Sequence, residues 1–396
     1  MAPVQPQTAI VQSRNATSPG SLPLIASTEP VPTLPSPLHV LVRVRAVALN
    51  PNDHKMVAHF PISGNGAGCD FCGIVESVGD ERDTGTADDA QTSTPVPAYH
   101  PHKPGTRVCG TVFPYPPAEE KENHHRLGAF AQYVVVDSRL LLRVPDHWTD
   151  LQGAALGGVG WSTVALAMSS LDALALPGLP SKPAEKNIPV LVYGGGTATG
   201  TMACQLLKLS GYTPIAVTHS STSAALAKQY GATAIAHYTN TKNCLEEIRA
   251  ASAGTLLRHT LDCITDPDSA SLCFAAIART GGRYACLEEF RNTWRTRRVV
   301  KVKEVMGYEV LERRVDLGPP GSVYTRGVNE AAAELGRSWA GEMQNLLDRG
   351  LVEAHPVQEV VGRGEEGMWA DNVMAGLEEL RTGGVRGRKL VVRISE

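Results

Sequence analysis

The sequence predicts an α/β chain in two parts: a β-rich part first, then a doubly wound parallel sheet, with a last strand that returns to the first part. Three observations carry this. From His39 on, Val40, Val42, Val44 and Ala46 alternate with Leu41, Arg43 and Arg45, the period of two that turns one face of a strand to a core. From Pro189 on, short apolar runs alternate with helical runs, an order that closes into a parallel sheet through right-handed crossovers. At the far end, Lys389-Leu-Val-Val-Arg-Ile394 is again strand-like. A length of 396 residues suits two domains, and 42% hydrophobic with 19% charged residues argues against long-range disorder.

Taken in order, residues 1–37 are rich in Pro, Ser and Thr and read as an irregular leader. The strand from His39 is followed by a second, Gly73-Ile-Val-Glu-Ser-Val-Gly79. Residues 80–104 are polar, Pro-rich and without period, a surface loop or insertion. Strand character resumes at Arg107-Val-Cys-Gly-Thr-Val-Phe113 and Ala129-Phe-Ala-Gln-Tyr-Val-Val-Val136. The second part opens with the strand Val190-Leu-Val-Tyr193 and a helix carrying Met202, Leu206 and Leu209 on one face, stopped by Gly211. Ile215-Ala-Val217, 233–237, Thr260-Leu-Asp-Cys-Ile264 and Arg283-Tyr-Ala-Cys-Leu287 are the next strands. A helix at 224–230 separates the first two of these, and one with Pro267 near its first turn precedes the last.

Lys plus Arg is 37 against 40 for Asp plus Glu, a net charge of -3, so no global positive field exists for nucleic acid. The N-terminus lacks a basic start followed by an apolar run, so no secretory signal is expected, and Asn15-Ala16-Thr17 is read as a chance glycosylation triplet. The most apolar stretch, 153–168, is interrupted by glycines and falls short of the ~20 residues that cross a bilayer. Eight scattered cysteines read as reduced, which places the chain in the cytoplasm.

The strongest chemical signal is strand, glycine turn, helix. In Gly194-x-Gly196-x-x-x-Gly200 the glycines let backbone approach a diphosphate, and the helix start offers unpaired N–H groups and a positive dipole end. The spacing departs from the strict dinucleotide fingerprint: Thr197 stands where a glycine is usual, and its hydroxyl can bond a phosphate. The next strand ends in Thr218-His219-Ser220-Ser221, without the acid that binds a ribose 2′-hydroxyl in NAD enzymes. Hydroxyls, His219 and Lys228 further on favour a 2′-phosphate, hence NADPH; Ser220 or Ser221 capping the next helix is compatible with that role. Cys69-Asp-Phe-Cys72 has CxxC spacing but no partner pair, and His100, His102, His124 and His125 fall in polar loops. No metal site is expected, and the two cysteines read as small buried residues.

Asn50-Pro-Asn-Asp53, Gly68-Cys-Asp-Phe-Cys-Gly-Ile-Val-Glu-Ser-Val-Gly79, Lys103-Pro-Gly-Thr-Arg-Val108 and Gly128-Ala-Phe-Ala-Gln-Tyr133 occur in the order seen in medium-chain dehydrogenase/reductases. The resemblance runs over about 39–394. Zinc members carry a cysteine in place of Asn50 and a His-Glu pair in place of Cys69-Asp70, so this chain resembles the zinc-independent, quinone-reductase-like branch. Within it, Asn50-Pro-Asn-Asp-His-Lys-Met56, Val192-Tyr-Gly-Gly-Gly-Thr-Ala-Thr199, Leu209-Ser-Gly-Tyr212, Leu261-Asp-Cys-Ile-Thr265 and Lys389-Leu-Val-Val-Arg393 are most similar to the trans-acting enoyl reductases of fungal polyketide pathways.

The resemblance implies a GroES-like β-rich catalytic domain (38–160 and 318–396) and a Rossmann NADPH-binding domain (161–317). It implies NADPH-dependent reduction of α,β-unsaturated acyl thioesters on the carrier domain of a partner polyketide synthase, including a hybrid with a peptide synthetase, by a reductase that is a monomer. Carried over by position, Asn52, Asp53, His54, Lys55, Thr163, Gly194, Gly196, Thr197, Ala198, Thr199, Leu287, Glu288, Arg386 and Gly387 would contact nicotinamide and phosphates. His219, Ser220, Ser221, Thr222 and Tyr238 would surround the 2′-phosphate. The acyl chain would pass Trp161, Ser162, Thr163, Tyr308, Glu309, Val310, Leu311 and Glu312.

Hydride addition to the β-carbon builds charge on the thioester oxygen, so fixed donors in a dry site are needed. Lys55 is the cationic candidate and Thr163 the orienting hydroxyl; no general acid is nominated. Arg291, Arg295, Arg297, Arg298, Lys301 and Lys303 form a local basic cluster suited to an acidic carrier, or simply a solvated face. The competing readings are a quinone or enone reductase acting on free molecules, and a non-catalytic NADPH-binding protein.

Overall fold

A computed structural model of the chain describes residues 6–16, 20–79, 102–115, 128–319, 321–362 and 368–395. Thr17, the polar segment at 80–101, His100, His124 and His125 lie outside the described residues. The chain divides into two compact units, Met1–Gly158 with Val357–Val385 and Lys389–Glu396, and Val159–Pro356 with Arg386–Arg388.

The first unit opens with β1 (Pro6–Gln12) and β2 (Leu24–Pro30), an antiparallel pair rather than an irregular leader. The reason is burial: Ile10 and Leu24 enter the core at 0% and 1% exposure. The buried Gln7 accepts from the Tyr133 amide at 2.8 Å, and Gln12 from the Ile62 amide at 2.9 Å. Glutamines that read as polar leader are thus internal acceptors. β3 (His39–Ala48) follows, with the expected alternation buried on one face. Then come α1 (Pro51–His59), β4 (Asp70–Val78), β5 (Arg107–Thr111), β6 (Tyr133–Asp137), β7 (Leu142–Arg143) and α2 (Asp150–Leu156).

The second unit starts with α3 (Val159–Ser169) and runs through β8 (Pro189–Tyr193), α4 (Ala198–Leu209), β9 (Thr213–Thr218), α5 (Ser221–Gln229), β10 (Ala234–His237) and α6 (Thr241–Ala251). It continues with β11 (His259–Asp262), α7 (Pro267–Ala276), β12 (Gly282–Cys286), β13 (Val300–Glu304), the short pair β14 (Val315–Asp316) and β15 (Thr325–Arg326), and α8 (Glu330–Asp348). The chain then returns to the first unit as β16 (Val357–Glu359), α9 (Trp369–Arg381) and β17 (Lys389–Arg393).

In the first unit the sheet order is β16-β17-β3-β4-β5-β7, with β6 also pairing β3. The returning strand β17 therefore lies directly beside β3, and Val40, Val42, Val44, Leu390 and Val392 share one core. In the second unit six parallel strands run β10-β9-β8-β11-β12-β13. The chain order reverses at β8, which puts a switch point at the carboxyl ends of β8 and β11.

One boundary and one strand correct the sequence reading. Residues 318–356 stay with the second unit instead of the first. The buried face of α8 (Trp339, Met343, Leu346, Leu347) explains this, together with the Trp339 indole donating to Ser169 Oγ at 3.0 Å. Farther on, Gln205 exchanges two hydrogen bonds with the Glu353 backbone and Tyr230 donates to the Ala354 carbonyl. The sixth strand, β13, was read only as part of a basic cluster. It is an edge strand, where lysines are tolerated because one side is unpaired.

Candidate active site

The fully buried β8 delivers the chain to a turn at Gly194, whose φ of 78° favours glycine. The amides of Gly194 and Gly195 both donate to the Val217 carbonyl at 3.1 Å, locking the turn to β9. A side chain at Gly200 would run into the Gly194 carbonyl, so the start of α4 lies directly on the turn. Thr197 is the N-cap: its hydroxyl accepts from the Gly200 amide at 3.0 Å and donates to the Gly194 carbonyl at 2.8 Å. In the free protein the hydroxyl proton is therefore engaged by the Gly194 carbonyl. What the turn offers an anion is the first-turn N–H groups, including Ala198 and Thr199, and the dipole of a 12-residue helix.

At the end of β9, Ser220 caps α5 by accepting from the Ser223 amide at 3.2 Å. Ser221 and Thr222 are exposed beside it. His219 lies 5.4 Å from the Tyr238 ring, and Tyr238 stacks on Tyr193 at 5.5 Å. Three strand ends thus supply an aromatic patch next to the cap. Burial pushes the Tyr193 phenol up. Sequence reasoning missed Tyr193; its place as the last residue before the glycine turn was the available signal. Lys228, in contrast, sits in the last turn of α5, about 10 Å along the axis from Ser221. The Arg386–Arg388 segment belongs to this unit, and the turn at Gly387 lies against Leu226 of α5.

On the other side of the switch point, Asp262 ends β11 fully buried. One oxygen accepts from the Ile264 and Thr265 amides at 2.9 and 3.0 Å; the other accepts from Ser269 Oγ at 2.6 Å and Tyr284 OH at 2.7 Å. Burial pushes its carboxyl above the usual range, and these donors act the other way. The Thr265 hydroxyl then accepts the Leu287 amide at 3.1 Å. Glu288, the next residue, accepts from Tyr324 OH at 3.3 Å.

The acyl-wall candidates come together, but mostly as core. Trp161 and Ser162 are 1% and 0% exposed, and Thr163 abuts Gly307. Tyr308, Glu309 and Val310 are also buried. Glu309 accepts from Asn329 Nδ2 at 2.9 Å, and Val310 lies under Gly336 of α8. Leu311 is half-buried, and Glu312 is exposed and paired with Arg337 at 2.7 Å. A cavity of about 480 Å³ lined by Glu309, Arg326, Gly327, Val328, Asn329 and Glu330 opens beside this segment.

In the first unit, α1 begins at Asn50, whose amide donates to Asp53 at 2.8 Å. The Asn50 side chain works elsewhere: its Nδ2 donates to Asp70 at 2.9 Å, and its Oδ1 accepts from Lys389 Nζ. Asp70 also accepts the Gly158 amide at 2.8 Å and lies 3.7 Å from Lys389 Nζ. Gly157, with φ 48°, abuts the Asp70 carboxylate and leaves no room for a side chain. Asp53 is 1% exposed, and burial pushes its carboxyl up to about 7, with the Cys69 thiol and the Asn50 amide opposing. Of the stretch 52–55, it is therefore Asn52, His54 and Lys55 that present half-exposed side chains. Asn52 Nδ2 donates to Cys69 Sγ at 3.4 Å. Burial, then Lys55 and Arg381, hold His54 below the usual imidazole range. Lys389 escaped sequence reasoning, because a lysine at a strand start reads as solvated.

Cys69 and Cys72 are both fully buried. His102 is buried with its Nε2 against the Leu141 carbonyl at 3.1 Å, not in a solvated loop. Among the described residues no group of three or more His, Cys, Asp or Glu side chains is placed to hold a metal ion.

Residues 36–146 match the alcohol dehydrogenase GroES-like domain, and residues 198–287 the zinc-binding dehydrogenase domain. The trans-enoyl reductase calK of Penicillium decumbens is 51% identical over 98% of each chain. The trans-enoyl reductase sthE of Phaeosphaeria nodorum is 49% identical over 100% of this chain and 99% of the relative. Among solved structures, the CurK enoyl reductase superposes with a TM-score of 0.65 at 15% identity, over 99% of this chain and 100% of that one. The mycobacterial Rv1454c, complexed with NADPH, gives 0.64 at 17%, over 98% and 99%. A GroES-like sheet unit, a Rossmann unit and these relatives agree, and the chain belongs to the trans-enoyl reductases of the medium-chain dehydrogenase/reductase superfamily.

Proposed function

We propose that the chain uses NADPH to reduce the α,β-unsaturated acyl thioester on the carrier domain of a partner polyketide synthase. The observation that carries this reading is the glycine turn at the switch point, followed by a β9 end with hydroxyls and His219 and no acid. The residues fit the dinucleotide: the Gly200–Gly194 approach seats the start of α4 on the glycine turn, where its first N–H groups can meet a diphosphate. Ser221, Thr222, His219 and Tyr238 suit a 2′-phosphate and adenosine. Bound NADPH supplies the hydride. The carrier-bound acyl group and the name of the relatives go together: a trans-acting reductase serves a synthase it is not part of.

Addition of hydride at the β-carbon moves a pair of electrons onto the thioester oxygen, and a proton at the α-carbon completes the saturated thioester. Lys55 is the cation we assign to the oxygen; its half-buried place on α1 leaves it partly shielded from water. Thr163, pressed against Gly307, is held in one place and acts as an orienting hydroxyl. The proton comes from solvent in this reading.

The test is direct. NADPH should quench protein fluorescence and raise the melting temperature at concentrations where NADH does neither. An enoyl pantetheine thioester should be reduced with a kcat/KM well above that for a simple quinone. Lys55→Ala should lower this rate at least tenfold without changing the melting temperature. Preference for the free quinone would replace the thioester reading with a small-enone reductase, and a protein indifferent to NADPH would end both.

A further inference from the structure

We propose that Asp262 and Thr265 are positioning residues for the nicotinamide half of the bound dinucleotide, holding the ends of β11 and β12 in one fixed relation. The inference rests on the NADPH reading above and goes beyond it. It starts from topology. The turn after β8 takes the diphosphate, and the ends of β9 and β10 carry His219 and Tyr238 on one side of it. A dinucleotide crosses the switch point, so its other half falls to the ends of β11 and β12.

Those two ends are tied together by side chains rather than by the ladder. The ladder between β11 and β12 stops at Asp262 and Cys286. Beyond it, Asp262 accepts two amides of the 263–265 turn, while Ser269 and Tyr284 clamp its second oxygen from α7 and β12. The turn ends in Thr265 at φ 63°, a conformation unfavourable for a β-branched residue. In that conformation the hydroxyl reaches the Leu287 amide at 3.1 Å. The four donors on Asp262 are what sustain it. Thr265 is 8% exposed, so its hydroxyl works inside the protein and does not have to touch the cofactor. With the Leu287 N–H occupied internally, what Leu287 offers a carboxamide NH2 is its carbonyl oxygen.

Thr265→Val isolates the role, because valine keeps the β-branch and its strain and loses only the hydroxyl. Amide hydrogen exchange at Leu287 in the free protein should accelerate at least tenfold, and NADPH should bind about tenfold more weakly. Thr265→Ser, which restores a hydroxyl, should recover both. If the valine variant is too unstable to assay, Thr265→Ala against Thr265→Ser makes the same comparison. Faster exchange at Leu287 with NADPH affinity within twofold of the unmodified protein would overturn this inference alone. Failure of the unmodified protein to bind NADPH would overturn the NADPH reading and this inference together. A uniform fall in melting temperature, with serine no better than alanine in NADPH binding, would reduce the pair to fold maintenance and overturn it as well.

Discussion

Asp53 shows how one residue serves two levels at once. As the third residue of α1 it accepts the Asn50 amide, an N-terminal cap that the Asn50-Pro-Asn-Asp53 spelling makes legible. What the spelling hides is burial, which pushes the group up to about 7 from an ordinary value of 3.8 against the Cys69 thiol and the Asn50 amide. A raised carboxyl binds its proton more tightly folded than unfolded. Its contribution to stability is therefore complete below pH 3.8 and is lost as pH rises through about 7. Asp70, Cys69 and Lys389 are the charged or titratable groups facing it, and burial outweighs them. Asp53→Asn removes the titration while keeping an oxygen for the Asn50 amide. The melting temperature of the variant relative to the parent should climb between pH 5 and pH 8. Its stability advantage should change by at most about 1.4 kcal/mol per pH unit. A difference that stays flat across that window would show that Asp53 is ionised throughout.

Among the elements, the cradle depends on one close approach. Gly200→Ala would force a side chain into the Gly194 carbonyl and should weaken NADPH binding at least tenfold while lowering the melting temperature. Gly160→Ala, in α3 with open space around it, should be neutral or stabilise by about 0.5–1 kcal/mol. Titration and thermal melts of the pair check this; equal affinity in Gly200→Ala would mean that the turn opens freely. The same elements show what a sequence can convey. Alternation in β3 and the βα series from Val190 were legible because period and glycine punctuation are local signals. The β1–β2 pair was not, since its partners are 24 residues apart at the Pro6–Pro30 end and its buried glutamines look polar. Nor was the allegiance of α8, which is decided by what its apolar face meets and not by that face itself. In the second unit the glycine turn and the acid-free end of β9 are local spellings; in the first unit the Asn50–Asp70–Lys389 cluster, with Asn50 and Lys389 339 positions apart, was not legible.

At the scale of the whole molecule, charge has to be counted after folding. The six basic residues between 291 and 303 read as one patch, but folding ties three of them to acceptors of the protein itself. Arg297 donates to the carbonyls of Phe274, Ile277 and Ala278 and closes the end of α7. Lys303 pairs with Asp172 at 2.5 Å, and Arg295 donates to the Val300 carbonyl at 3.2 Å. Arg291 lies over the Trp294 ring, and it, Arg295, Arg298 and Lys301 are exposed. On a chain of net charge -3, four exposed cations can steer an acidic carrier domain only at short range, within a Debye length of about 8 Å at physiological salt. Raising salt from about 50 to about 300 mM should therefore increase KM for a carrier-bound enoyl thioester two- to threefold and leave the pantetheine thioester unchanged. Arg298→Glu with Lys301→Glu should abolish the salt effect and raise KM for the carrier-bound substrate at low salt. Arg297→Ala should instead lower the melting temperature and leave the salt effect in place, because its donors face the protein's own carbonyls. If carrier-bound turnover ignores both salt and the double reversal, the exposed cations are merely solvated and the carrier docks elsewhere.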